Sequence, residues 1–258
     1  DLWKQQQAHA QRGDTVLLYF AGHGAQQPQL MRSGFREPDG LDELFLPRDT
    51  GRWEDAGVVN AIVDDEIGAH IDRLREDGIN VIAWFDSCHA GDSVRNSRNG
   101  TYRTRAVPAE DLGVPIGLQQ KATHGNSPTK RALGMSANTK RSHTVRPKPA
   151  TNVGISERGY LIALYASRPH ERTREEVLPI GRGDHREYRG VFTATVLEVL
   201  RDDLVTSTSP GRQSLSAQDL IARVKATYLR KMRNNITPYY ESDPPEAGQM
   251  PLLRLLVR

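Results

Sequence analysis

The chain has 258 residues, a length at which one hydrophobic core can still serve a whole α/β domain. Apolar residues make up 37% and charged residues 26%, which suits a soluble globular domain with some long polar loops. The sequence contains no apolar run long enough for a membrane helix. The single cysteine, Cys88, excludes an internal disulfide and favours a reducing compartment, so we expect a cytoplasmic protein. The formal net charge of +3 is too small to identify a partner.

Three short apolar runs predict buried parallel strands. Residues 2–12 resemble the end of a helix, closed by Gly13 and Asp14, and TVLLYF (15–20) follows directly. NVIAWF (80–85) and YLIALYAS (160–167) have the same character. Because none of these runs alternates apolar with polar residues, we expect strands buried on both faces, as in a parallel sheet covered by helices.

Amphipathic segments separate these runs and predict the covering helices. Helical spacing is present in residues 64–78, which begin with acidic residues, in 190–203, and in 216–233, where Ser216 is a candidate N-cap. Alternation of strand and helix predicts a doubly wound α/β fold.

Residues 93–156 differ from the rest of the chain. They are rich in Arg, Lys, Ser, Asn, Gly and Pro and show no sustained period, which indicates a long loop or linker open to proteases. A nucleic-acid interaction would suit the basic charge. The segment, however, contains one aromatic residue, Tyr102, and no groove-reading signature, so we do not expect nucleic acid as a partner.

Two predicted strands end in polar, glycine-flanked sequence, AGHG (21–24) and DSCHAG (86–91). If the strands are neighbours, His23 and Cys88 meet at the carboxyl edge of the sheet, where α/β sites form. A thiolate at Cys88 could then attack a carbonyl while His23 moves the proton to the leaving amine. The backbone N–H groups of Gly24 and Cys88 are the candidate oxyanion donors. The alternative is that Cys88 is simply a small buried apolar residue.

These blocks carry a family resemblance. DTVLLYFAGHG followed by VIAWFDSCHAG resembles the caspase-like cysteine peptidases, and most closely their bacterial and metacaspase branch. PDGLDELFLPRDT (38–50), IVDDEI (62–67), LYASRPHE and TPYYE (237–241) are similar to the same branch. The resemblance implies a three-layer α/β/α sandwich with a mostly parallel central sheet, and a catalytic dyad of His23 and Cys88.

The resemblance also implies that the whole chain is a single peptidase domain with three parts. Residues 1–92 correspond to a large-subunit-like part that lacks the first strands, 93–156 to the basic linker, and 157–258 to a small-subunit-like part. Since the first strands are lacking, we expect either that the chain is a fragment of a longer protein or that its N-terminal part has been trimmed or replaced. The resemblance implies a monomer.

Asp86 lies two residues before Cys88, so in an extended segment both side chains point to the same side. An unpaired carboxylate there would raise the thiol pKa, which does not help a nucleophile. The resemblance implies that it binds a basic P1 side chain in the S1 pocket. Ala21 is a second S1 position, where metacaspases often carry Ser. The alternative is that Asp86 caps a local turn.

The acidic residues Asp39, Asp42, Glu43, Asp64 and Asp65 raise the question of a metal. In calcium-activated metacaspases, aspartates matching Asp42, Asp64 and Asp65 bind calcium together with a fourth residue. That position is Arg95 here, with Asp92 nearby, so we expect no metal or other cofactor. Asp64 and Asp65 would then simply favour the helix N-terminus that they begin.

The sequence therefore predicts a cysteine endopeptidase that cleaves protein substrates after Arg or Lys. Such an enzyme with an exposed basic linker is expected to cut itself there, and the candidate sites are Lys130, Arg131, Lys140, Arg141 and Arg146. The competing hypothesis is a non-proteolytic caspase-like scaffold or regulatory binding domain.

Other residues near the predicted site give weaker signals. His89 follows the nucleophile but should point away from it, His70 is expected to be structural, and Glu175 and Glu176 could line the cleft. The peptidase hypothesis has one spatial condition. The Cys88 sulfur must lie within reach of the His23 ring and must not be covered by packed side chains.

Overall fold

The computed structural model of the protein describes residues 9–30, 40–55, 57–88, 102–115, 158–168, 171–179, 185–206, 215–233 and 235–252. Its central sheet consists of β1 (Thr15–Ala21), β7 (Asn80–Asp86), β9 (Leu161–Tyr165) and β12 (Tyr239–Asp243), in the spatial order β1-β7-β9-β12. The first three strands are parallel and β12 pairs antiparallel with β9. The predicted mostly parallel sheet is confirmed.

Helices cover both faces of the sheet at β7 and β9. The expectation of burial on both faces is wrong for β1, which lies at the sheet edge and leaves Leu17 and Tyr19 exposed. On one face, α1 (Asp64–Glu76) packs Ile67, Ile71 and Leu74 against Val81, Ala83 and Phe85 of β7. On the other face, α2 (Val191–Thr206) and α3 (Ala217–Arg230) pack against Ile82 and against β9. Because successive residues of a strand point to opposite faces, the unbroken apolar run of β7 supplies both cores. The predicted three-layer α/β/α arrangement is confirmed.

Local sequence explains where two of the helices begin. Ser216 caps α3: its hydroxyl accepts a hydrogen bond from the amide of Asp219 at 3.1 Å, and the Asp219 carboxylate accepts from the Ser216 amide in return. The first turn of α1 carries Asp64, Asp65 and Glu66, and negative charge there is favourable beside the exposed N–H groups.

Smaller sheets flank the carboxyl edge of the central one. A three-stranded sheet joins β2 (His23–Pro28), β3 (Leu41–Leu46) and β6 (Ile62–Val63), and a hairpin joins β4 (Trp53–Glu54) to β5 (Gly57–Val58). A further sheet has the order β11-β10-β8, with β8 (Tyr102–Thr104), β10 (Arg174–Pro179) and β11 (Arg186–Gly190). A short 3₁₀ helix spans Pro245–Gln249.

The description of residues 93–156 as an unstructured linker is wrong for its ordered part. Tyr102–Thr104 form strand β8, and Arg105 and Ala106 are buried. The pairing of β8 with β10 is long-range, so local periodicity could not reveal it. Residues 93–101 and 116–156 lie outside the described residues, as does the predicted N-terminal helix before His9.

Within the described ranges, no helix combines the length and the apolar character needed to cross a bilayer.

Candidate active site

The two segments that carry the predicted catalytic residues meet at the carboxyl edge of the central sheet. Parallel register places Ala21, the last residue of β1, opposite Asp86, the last residue of β7. The amide of Gly22 donates to the carbonyl of Asp86 at 3.2 Å. His23 begins β2 directly after this contact, and Cys88 follows β7 by two residues. The backbones that carry both predicted catalytic residues are therefore adjacent.

Gly24 packs directly against the backbone of Cys88. A Cβ atom added at Gly24 would lie 2.1 Å from the Cys88 carbonyl oxygen and 3.1 Å from that of Leu44. Both contacts are with backbone, which cannot swing aside, so any side chain here would force the two blocks apart. Glycine is thus required at this position for the approach of His23 and Cys88 to each other.

The sulfur of Cys88 is covered in this structure, which corrects the expectation of an open cleft. Cys88 is 1% exposed, and its sulfur lies 3.6 Å from the carbonyl oxygen of Glu171 in donor geometry. His23, in contrast, is exposed. The condition of an uncovered sulfur is therefore not met in this structure, and an external substrate could reach the sulfur only if the chain around it moves away.

Asp86 is completely buried and has several internal partners. Its Oδ2 atom accepts hydrogen bonds from the Thr193 amide at 2.9 Å and from the Thr193 hydroxyl at 2.7 Å. The Thr173 hydroxyl lies 3.5 Å from its Oδ1 atom. The first residues of α2 therefore hold the carboxylate in place, as a helix N-terminus does for an anion.

An arginine of the chain itself occupies the cation-binding side of Asp86. Nη1 of Arg105 lies 3.3 Å from Asp86 Oδ1 and also donates to the Asp86 carbonyl oxygen. Nη2 of Arg105 pairs with Glu175 Oε1 at 3.1 Å. The Arg105 side chain is only 7% exposed. A guanidinium is thus held between two carboxylates beside Cys88.

Gly190 leaves the space that this ion pair fills. A Cβ atom at Gly190 would lie 2.1 Å from Asp86 Oδ2 and 2.7 Å from the guanidinium carbon of Arg105. Gly190 ends β11 and pairs in register with Glu175. A side chain at this position would therefore close the pocket.

Burial raises the pKa of Asp86 above its usual range. The charge of Arg105 and the hydrogen bonds from Thr193 oppose this shift, because each favours the ionised carboxylate. Without the charge of Arg105, the pKa of Asp86 would therefore be raised further.

The backbone of Arg105 is bound as firmly as its side chain. The Arg105 amide donates to the Thr173 carbonyl at 3.3 Å, and the Arg105 carbonyl accepts from the Gly24 amide at 2.8 Å. The Val107 amide then donates to the Gly24 carbonyl at 2.8 Å. The predicted oxyanion donor Gly24 is consequently engaged by the carbonyl of Arg105.

Several residues of this site escaped sequence reasoning. Thr173, Gly190 and Thr193 are far from the DSCHAG block in the chain, and Arg105 seemed to be one of many linker cations. The one local indication was Gly190, a glycine directly before a helix, because such a glycine often allows another group to pack closely against the backbone. Of the two predicted cleft residues, Glu175 contacts Arg105, whereas Glu176 pairs with Arg233.

Two of the aspartates considered for calcium, Asp42 and Asp64, are buried. The Oδ2 atom of Asp42 accepts from the Leu30 amide at 3.1 Å and from Gln27 Nε2 at 3.4 Å. Asp64 is buried and Asp65 half-buried at the start of α1. Among the residues that the structure describes, no three or more His, Cys, Asp or Glu side chains are grouped to hold a metal.

Some predicted residues cannot be placed. Asp39, His89, Asp92 and Arg95 lie outside the described residues, and so do the candidate cleavage sites Lys130, Arg131, Lys140, Arg141 and Arg146. His70 lies on α1, where partial burial and then the charge of Arg73 lower its pKa.

Comparisons with known proteins bear on this site. Residues 3–96 match the family model for the metacaspase, peptidase C14 domain. Metacaspase-1B of Aspergillus oryzae is 38% identical over 85 residues, which are 33% of this chain and 18% of the relative. Metacaspase-1 of Emericella nidulans is 35% identical over 85 residues, with 33% and 19% covered. The chain thus spans about a fifth of the length of these curated relatives. The matched segment is a third of this chain.

A solved structure extends the fold comparison beyond this segment. The crystal structure of a protein from Geobacter sulfurreducens superposes with a TM-score of 0.50 at 20% identity, covering 94% of this chain and 70% of that protein. At this identity the likeness concerns the fold alone. The matched segment, which holds the His23 and Cys88 blocks, is thus similar to the metacaspase, peptidase C14 domain, and the solved structure shares its fold.

Proposed function

We propose that the protein is a cysteine endopeptidase that hydrolyses peptide bonds after Arg or Lys. The observation that carries this proposal is the arginine held by buried Asp86 two residues from Cys88. The pocket offers a guanidinium two carboxylates, Asp86 and Glu175, and the space left by Gly190. Arginine binds well in such a place because its planar fork can pair with carboxylates through several N–H groups.

The reaction would use the residues that converge at the sheet edge. Cys88 attacks the substrate carbonyl, and His23 transfers the thiol proton to the leaving amine. The Gly24 amide, which donates to a carbonyl in this structure, would donate to the developing oxyanion together with the Cys88 amide. A water molecule then hydrolyses the thioester and restores the thiol.

A non-proteolytic scaffold is the second candidate, and the burial of the Cys88 sulfur favours it. A protein that only binds partners needs no access to this sulfur. The presence of both His23 and Cys88 favours the peptidase, since a scaffold needs neither residue.

The deciding experiment is turnover of fluorogenic peptides by the full-length protein. We expect hydrolysis after Arg and Lys but not after Asp, and loss of turnover in the Cys88→Ala and His23→Ala variants. Labelling of Cys88 by a peptidyl-Arg chloromethylketone, mapped by mass spectrometry, identifies the nucleophile independently. Unchanged turnover in either variant would exclude the dyad, and absence of turnover and of labelling, with the Arg105→Gln variant also inactive, would favour the scaffold.

A further inference from the structure

We infer that the protein's own segment Tyr102–Val107 lies in the cleft as a substrate and that Arg105–Ala106 is the bond it cuts in itself. This inference rests on the proposed peptidase function and names its first substrate. Three features of the bound segment carry it: the side chain of Arg105, the carbonyl of Arg105 and the direction of the flanking chain.

The side chain of Arg105 is where a P1 side chain would be. Its guanidinium pairs with Asp86, the carboxylate predicted to bind a basic P1 residue, and with Glu175. The segment also carries Arg103, but the two arginines are treated differently. Arg103 is exposed and lies over the ring of Tyr188, with its guanidinium carbon 3.9 Å from the ring centre. Burial and charge pairing thus single out Arg105.

The carbonyl of Arg105 is where a scissile carbonyl would be. Its oxygen accepts from the Gly24 amide at 2.8 Å, and Gly24 in turn touches the Cys88 backbone. One residue therefore has its side chain in the cation pocket and its carbonyl on a predicted oxyanion donor. A purely structural arginine has no need to meet both conditions.

The residues on each side of Arg105 run as an extended peptide through the cleft. Tyr102–Thr104 pair antiparallel with Arg174–Glu176, and the Arg105 amide continues this ladder to the Thr173 carbonyl. Beyond the bond, Ala106 forms a parallel bridge with Gly24, and Val107 donates to the Gly24 carbonyl. Both sides of the Arg105–Ala106 bond are thus held by the chain around the catalytic blocks.

The step balances as a hydrolysis. The Cys88 sulfur adds to the carbonyl carbon of Arg105, the bond to the Ala106 nitrogen breaks, and His23 supplies that nitrogen with a proton. Water then cleaves the thioester, leaving a carboxylate on Arg105, a new amino terminus on Ala106 and a free thiol. Until this happens, the segment fills the pocket that an external Arg peptide needs. The buried sulfur and the occupied carboxylate describe this uncut state.

The test is to identify the ends of the fragments that the full-length protein produces on incubation. We expect a fragment ending at Arg105 and one beginning at Ala106, found by intact mass and by labelling of new amino termini. The Arg105→Lys and Arg103→Gln variants should give the same pair, whereas the Cys88→Ala and Arg105→Gln variants should lose it. Since the segment is already bound, the fraction cut at a given time should not change on tenfold dilution.

A parallel assay with an Arg peptide separates failure of this inference from failure of the peptidase function. If the wild type or the Arg105→Gln variant hydrolyses the peptide but no Arg105 and Ala106 ends appear in the wild type, the inference is overturned and the peptidase stands. Fragments that persist in the Arg105→Gln variant overturn it equally. If neither protein hydrolyses the peptide or itself, the peptidase function fails. If circular dichroism shows that the Arg105→Gln variant is unfolded, the fragment ends formed by the wild type and by the Arg105→Lys variant still decide whether the Arg105–Ala106 bond is cut.

Discussion

Thr193 binds one carboxylate oxygen of Asp86 twice, through its backbone amide and through its hydroxyl. The contact joins the first turn of a helix in the C-terminal half of the chain to the strand that leads to Cys88. It fixes the carboxylate that we propose selects basic substrates. Removing parts of this arrangement should therefore change selectivity and stability in separable ways.

Thr193→Val removes the hydroxyl but keeps the backbone hydrogen bond to Asp86. Hydrogen bonds to charged groups contribute roughly 1.5–3 kcal/mol, so we expect a loss of that order in the free energy of unfolding. We also expect a higher KM for Arg peptides. Thr195→Val is the matched control, because the Thr195 hydroxyl donates to the Val191 carbonyl and not to Asp86. An equal KM increase in both variants, measured in steady-state assays, would contradict this role of Thr193.

Gly24→Ala should abolish peptide hydrolysis. The new Cβ would lie 2.1 Å from the Cys88 carbonyl oxygen, so the backbone that carries the nucleophile must move. Gly68→Ala is the control, since a Cβ at this position in α1 meets nothing within 4 Å. An alanine in a helix interior should raise stability by about 1 kcal/mol over glycine. Retained activity in the Gly24→Ala variant would show that the tight contact is dispensable.

The raised pKa of Asp86 predicts a specific pH dependence of stability. Between the ordinary carboxyl pKa of 3.8 and the raised value, the native protein binds a proton that the unfolded chain does not. The free energy of unfolding contributed by Asp86 must therefore fall as the pH rises through this window. The measurement is urea unfolding of the Cys88→Ala protein with and without Asp86→Asn, over a range of pH. If the free energy of unfolding of the protein with Asp86 rose relative to that of the Asp86→Asn protein as the pH rises, the raised pKa of Asp86 would be contradicted.

Ser216→Ala should weaken the fold without touching the chemistry. The Ser216 hydroxyl caps α3, and loss of such a cap costs about 1 kcal/mol. We expect a lower midpoint of thermal unfolding and an unchanged kcat/KM per folded molecule. A large change in kcat/KM would indicate that α3 is coupled to the site.

Chelation should not affect turnover. Asp42, one of the aspartates considered for calcium, already accepts hydrogen bonds from the Leu30 amide and from Gln27. We expect the same kcat/KM for an Arg peptide in EDTA and in added calcium. Activation by calcium, lost in an Asp42→Ala variant, would show that these aspartates bind the ion.

The sequence was sufficient where a signal is local. Apolar runs predicted β7 and β9 because strands buried on both faces need no alternation, whereas β1, at the edge of the sheet, leaves Leu17 and Tyr19 exposed. Ser216 marked the start of α3 through its cap. Glycines on both sides of His23 pointed to a close backbone approach. The partners of Asp86 were not predictable in this way. Thr173, Gly190, Thr193 and Arg105 reach it through tertiary packing, and none of them carries a recognisable pattern at its own position.

The pairing of β8 with β10 limits what the cleft can accept. When β8 leaves, the N–H and C=O groups of Arg174–Glu176 lose their partners, and an incoming chain has to replace them. Only an extended segment of polypeptide can do so, because the N–H and C=O groups of a helix are already hydrogen-bonded to each other. Target sites should therefore lie in tails, interdomain connections or locally melted regions, whatever basic residues a folded surface displays.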